Sequence, residues 1–144
     1  MRRLNRAIDK KEVVDKLLAS NGGAFPQIWQ IMIFAACLGV KIKRKEVLGD
    51  TDSSVAIPPS VLANNCSSWP GLLYLINIVE TSDPNVLNSD ESADETRVKV
   101  LEEYANGGLA FMRENLETKE YSLDSVCQLL ADGASTTSKV NDSI

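Results

Sequence analysis

The sequence predicts an all-α protein, a single compact bundle of about five to six helices. Apolar residues recur at steps of three and four along most of the chain and alternate almost nowhere. Glycine and proline gather between the periodic stretches, where helices end and begin. No internal repeat of solenoid period is present. The 144 residues suit one domain, long enough to bury about two-thirds of its unfolded surface.

The first helix is predicted over about 9–19, with Val13, Val14, Leu17 and Leu18 on one face and Lys10, Lys11, Asp15 and Lys16 on the other. Asn21-Gly22-Gly23 ends it, because glycine readily takes the left-handed geometry found just past a helix. The second helix is expected near 26–40, with Pro26 in its first turn, where a missing N–H costs nothing. Ile28, Trp29, Met32, Ile33, Ala36, Cys37 and Val40 form its stripe, and Ile31, Phe34, Ala35 and Leu38 fill much of the remainder. A helix apolar nearly all round is either a central core element or a membrane span. A span needs about twenty predominantly apolar residues. Ile28 to Val40 is shorter and contains Gln30, so this is the central core helix.

"EVLGDTDSSVA" (46–56) reads as a polar, flexible connection. "IPPSVLANN" (57–65) suggests a short third helix, with both prolines at its entry and Val61 and Leu62 inward. A fourth follows "SSWPG", where Ser67 or Ser68 caps and Pro70 occupies the first turn. Leu72, Leu73, Leu75, Ile76, Ile78 and Val79 make it a second core helix, which stops before Pro84. The acidic run "NSDESADET" (88–96) then resembles a helix N-terminus, where carboxylates complement the dipole.

The long helix near 92–117 carries Val98, Leu101, Ala105, Leu109, Met112 and Leu116 in phase straight across Asn106-Gly107-Gly108. Two interior glycines cost about 1 kcal/mol each relative to alanine, so another backbone is expected to pass close by. A last helix over about 122–131 turns Leu123, Val126, Cys127 and Leu130 inward. The domain is expected to span 1–132, followed by a polar, disordered tail at 133–144.

Composition narrows the chemistry. Cys37, Cys66 and Cys127 are far apart and form no CxxC pair, and there is no histidine. Zinc would find too few ligands, so no metal and no cofactor are expected, and the cysteines read as reduced, mostly buried thiols of a cytoplasmic protein. The N-terminus has cations but no apolar segment behind them, unlike a secretory signal. Without histidine, serine and cysteine nucleophiles lack their usual base, so no enzymatic activity is expected. Asp90, Glu91, Asp94 and Glu95 are the remaining carboxylate candidates for metal binding or catalysis, but a capped helix start accounts for them. "SNGGAF" (20–25) matches no phosphate loop.

Charge is unevenly spread. Residues 1–45 carry ten Lys/Arg against three Asp/Glu, whereas residues 46–144 carry five against seventeen. The candidate DNA- or partner-binding residues are therefore Lys41, Lys43, Arg44, Lys45, Arg2, Arg3 and Arg6, with Lys10 and Lys11 beside them. Two readings stay open for the cluster at 41–45, a phosphate-facing patch or cations that complement a helix C-terminus.

Four stretches together carry a family resemblance: "IMIFAACLGVKIKRKE" (31–46), "IPPSVLANN" (57–65), "INIVETSDPNVL" (76–87) and "EEYANGGLAFM" (102–112). They resemble a small Dnd-system-associated protein family found in bacteria with DNA phosphorothioation systems, and more faintly the helical DndE component. Tyr-Ala-Asn-Gly-Gly is the distinctive element; Pro59 stands where the family pattern often has a large residue. The resemblance implies a cytoplasmic, non-catalytic accessory or adaptor of DNA modification or anti-phage restriction. Its partners would be larger proteins of the same system, with double-stranded DNA and a second copy of the chain as further candidates and no membrane. The alternative is a freestanding dimeric helical regulator or an inhibitor of a defence nuclease.

Overall fold

Six α-helices form among the residues described by the computed structural model, which are 1–87, 90–116 and 120–142, with the side chains of Val86 and 133–142 excepted. They are α1 (Lys11–Leu17), α2 (Ile28–Ile42), α3 (Pro59–Asn65), α4 (Trp69–Thr81), α5 (Glu91–Leu116) and α6 (Leu123–Asp142). No named strand occurs among these residues, and no helix is long and apolar enough to cross a membrane. The all-α expectation holds.

Local chemistry sets most boundaries. The first helical segment divides into a 3-10 turn (Ile8–Lys10), α1 and a second 3-10 turn that closes on Gly22 at φ 86°. Helix α2 starts after Pro26. Gln27 caps it, and its amide donates to the Gln30 side chain 3.1 Å away while the Gln27 side chain accepts from the Gln30 amide. Pro59 takes the first position of α3, and Pro70 lies in the first turn of α4. Asp90 caps α5, with Oδ1 accepting the Ala93 N–H at 2.7 Å. Helix α6 continues past residue 131, where the pattern placed its end. Of the disordered tail expected at 133–144, residues 143–144 and the side chains from 133 onward lie outside the described residues.

Helix α5 is the centre of the bundle, and α2 is its most extensive neighbour. The two approach backbone to backbone through small residues. A Cβ built on Gly108 would lie 2.7 Å from the Ala35 carbonyl carbon, and one on Gly39 would lie 2.9 Å from that of Tyr104. In each case the carbonyl oxygen is closer still. The close approach expected from the glycines in α5 is therefore present. Ile31, Leu38, Leu101, Leu109 and Met112 fill the flanks and are at most 3% exposed. All six residues of the predicted α5 stripe are buried.

Three expectations need correction. Cys37, placed in the inward stripe of α2, is exposed, because the buried face rotates to set Ala35 and Gly39 against α5. Leu123 and Cys127 of α6 also face out; Val126 is buried as expected, and Leu129 joins it. Thus two of the three free thiols are exposed and Cys66 is half-buried. The 46–56 connection is tied down. Leu4 and Ile57 exchange backbone hydrogen bonds of 2.9 and 2.8 Å, Ile8 N–H donates to Asp50, and Asp52 N–H donates to Arg6.

The crossing yields a paired prediction. Gly108→Ala is expected to destabilise by about 2–3 kcal/mol in urea titration, as overpacking does. Gly71→Ala in α4, where a Cβ meets nothing within 4 Å, should instead stabilise by about 0.5–1 kcal/mol. Equal responses would contradict the close approach.

Candidate functional site

The basic residues after α2 form a strap across α5. Lys43 is left-handed (φ 57°, ψ 43°), its N–H donating to Val40 O at 3.2 Å and the Arg44 N–H donating to Gly39 O at 2.9 Å. That paired pattern reverses the chain at a helix end. The strap then docks. Glu46 N–H donates to Glu103 O at 3.0 Å, and Asn106 Nδ2 donates to Glu46 O at 3.3 Å and Val47 O at 3.1 Å. A Cβ on Gly107 would lie 2.7 Å from the Arg44 carbonyl carbon. Each residue of Tyr104-Ala105-Asn106-Gly107-Gly108 thus has its own task. Gly108 admits α2, Gly107 and Asn106 seat the strap, Ala105 fills the core, and Tyr104 donates its hydroxyl to Glu80.

Two of the strap's cations are engaged. Arg44 lays both terminal nitrogens on Glu114 at 2.8 and 2.7 Å and its Nε on Glu46 at 2.7 Å. The Glu114 hydrogen bonds raise the guanidinium above its ordinary pKa, and Arg44 in turn holds Glu114 below the usual carboxylate value. Lys45 pairs with Glu80, which raises the ammonium pKa. The hydrogen bond from Lys45, then that from Tyr104, depress Glu80. Burial, reinforced by Glu80, pushes the Tyr104 phenol up to about 12. Lys41 and Lys43 are exposed and have no ion pair among the described residues.

The N-terminal candidates lie apart from the strap. Arg2 holds buried Glu102 in a two-pronged grip at 2.7 and 2.6 Å and reaches Glu95 at 2.8 Å. At 3.6 residues per turn, Glu102 projects about 100° round α5 from Glu103, so these two groups occupy different faces. Arg6 is 4% exposed and donates to Asp52 at 3.3 Å. Its Nε and Nη1 have no hydrogen-bond partner among the described residues. Lys10 is 2% exposed and pairs with Asp9 at 3.1 Å, while Lys11 pairs with Asp15 on the surface. Arg3 is exposed and has no ion pair among the described residues.

Three of the four acidic candidates are also engaged, and Glu91 is exposed with no ion pair among the described residues. Asp90 is a cap, Asp94 faces the Met1 amine at 3.4 Å and Arg97 at 3.5 Å, and Glu95 holds Arg2. Among the described residues no His/Cys/Asp/Glu group suited to a metal ion occurs. Sequence reasoning missed Glu80, Glu103, Glu114, Tyr104 and Asn106 as organisers of the strap. The only local signal was Asn106 beside two glycines inside a helix.

A family model described as DNA sulphur modification system-associated protein 4 matches residues 3–143. The chain belongs to that family. All four stretches that carry the resemblance fall inside the match, so the sulphur-modification family can be read from the strap, α3, α4 and the α5 crossing together. No curated protein and no solved structure matches it.

The Glu80–Tyr104–Lys45 cluster has a definite pH signature. A depressed Glu80 contributes stability above the ordinary carboxylate range, which is lost as pH falls through its lowered value. A raised Tyr104 contributes below its ordinary value of 10.0, and that contribution is lost as pH rises toward about 12. Tyr104→Phe should delete the late-titrating phenol from the ultraviolet titration and cost about 1 kcal/mol at neutral pH. Unchanged titration would place the late phenol elsewhere.

Proposed function

We propose that this protein is a non-catalytic adaptor of a DNA sulphur modification system, which joins partner proteins of that system and touches the DNA backbone through Lys41 and Lys43. The carrying observation is Lys43. It takes a left-handed backbone at a position where glycine is the usual residue, at a cost of about 1–2 kcal/mol. A strained, exposed, unpaired cation on a strap fixed at both ends supports contact with an anion. Arg44 and Lys45 act here as positioning residues, since Glu114, Glu46 and Glu80 already neutralise them.

The count of free cations supports an accessory role. Each phosphate contact contributes about 0.9 to the log–log salt slope, and independent DNA binders make several. On the strap, Lys41 and Lys43 are the two cations without an ion pair among the described residues, and two such contacts supply a weak, salt-sensitive contribution that adds to protein contacts. The family's association with a modification system supports the same reading.

Titration of duplex DNA at several low salt concentrations tests it. Wild type should bind weakly with a slope of about −2. Lys43→Gly should unfold later, by about 1 kcal/mol, yet bind more weakly. Lys41→Glu/Lys43→Glu should not bind. Equal binding by wild type and the double variant, or none by wild type, would remove the DNA contact from the proposal.

A further inference from the structure

Four of the eight exposed large apolar residues among the described residues converge on one face. Leu75, Ile78 and Val79 stand at i, i+3 and i+4 on α4, 58%, 38% and 57% exposed, and Leu87 of the following 3-10 turn is 43% exposed. With Gly71 and Tyr74, three of these four residues line an open depression of about 470 Å³. The opposite face of α4 buries Trp69, Leu73, Ile76 and Asn77. Helix α4 cannot roll to hide its outer residues without breaking specific bonds, because buried Asn77 donates to Leu73 O at 2.9 Å and to Arg97 O on α5 at 3.1 Å. Tyr74 is held as well, its ring centroid 5.0 Å from the Arg97 guanidinium.

Charge indicates what fits this face. Residues 46–96 contain no lysine or arginine and nine Asp/Glu. The Asp83 and Asp90 carboxylates accept the N–H groups of Asn85 and Ala93, and neither they nor Glu91 have an ion pair among the described residues. Two cations that reach α4 are committed, Lys45 to Glu80 and Arg97 to Asp94 and the Tyr74 ring. We propose that this face docks an amphipathic helix of a partner protein whose polar flanks are rich in lysine and arginine. Anchors at i, i+3 and i+4 accept a helix lying along α4, and an acidic segment attracts cationic flanks. A second copy of this chain would bring the same acidic segment against itself, since a two-fold interface uses one patch twice. Docking here deepens the adaptor reading and rests on its protein-binding half, independently of the strap.

The test uses the full chain and two labelled synthetic helical peptides with the same leucine face, one with lysine flanks and one with glutamate flanks. Fluorescence anisotropy should show the lysine peptide binding at least tenfold tighter than the glutamate peptide. Leu75→Gln/Val79→Gln, two residues more than half exposed, should melt as wild type does and lose binding at least tenfold. Lys41→Glu/Lys43→Glu should bind the peptide normally, so that loss of DNA contact and loss of docking are distinguishable. Equal affinity for the two peptides, or undiminished binding by the α4 variant, overturns the proposal. A wild-type dimer in sedimentation that Leu75→Gln/Val79→Gln dissociates also overturns it, and assigns the face to a second copy.

Discussion

Where Gly108 meets Ala35 and Gly39 meets Tyr104, two helix backbones touch with no side chain between them. That contact fixes the distance and phase of α2 against α5, and most later features are consequences of it. Interior glycines weaken a helix, but here they admit dispersion contacts and shield backbone groups that larger residues would hold apart. The crossing also determines where α2 ends. Because Gly39 lies on Tyr104, the chain emerging at Lys43 passes directly over Asn106 and Gly107, which hold it by hydrogen bonds and close packing.

Local pattern revealed as much of this as local pattern can contain. The α5 stripe is legible because six apolar residues keep helical phase through Asn106-Gly107-Gly108 and are all buried. The buried face of α2 was less legible, since hydrophobic periodicity favours bulky residues while the tightest contact uses the smallest. Cys37 was misplaced for that reason. On α4, periodicity identified Leu75, Ile78 and Val79 as apolar without saying that nothing in the described chain covers them. The antiparallel pairing of residues 4–8 with 50–57 left no trace in the pattern, being only isolated bridges.

The candidate site was legible in its residue types and not in its pairings. Lys45 and Arg44 find Glu80 and Glu114 at 35 and 70 positions' separation, and Arg2 finds Glu102 at 100. Such partners are set by tertiary structure. They also change the meaning of the charge asymmetry, for much of the positive first third folds onto the acidic remainder. Exposed pairs of this kind contribute little to stability individually, yet they decide which charges stay available. Lys41 and Lys43 remain on the strap, while Asp83, Asp90 and Glu91 beyond α4 have no ion pair among the described residues. The two surfaces are therefore what is left after internal matching, and their opposite character suits a protein placed between unlike partners.

Hydrogen exchange tests the dependence of the strap on the crossing most directly. The Arg44 and Glu46 amides donate to Gly39 and Glu103, so they should be protected and should exchange only with the α2 and α5 amides around Gly39 and Gly108, in one cooperative opening. Rapid exchange at Arg44 and Glu46 while both helices stay protected would show the strap to be a free loop and would contradict the account.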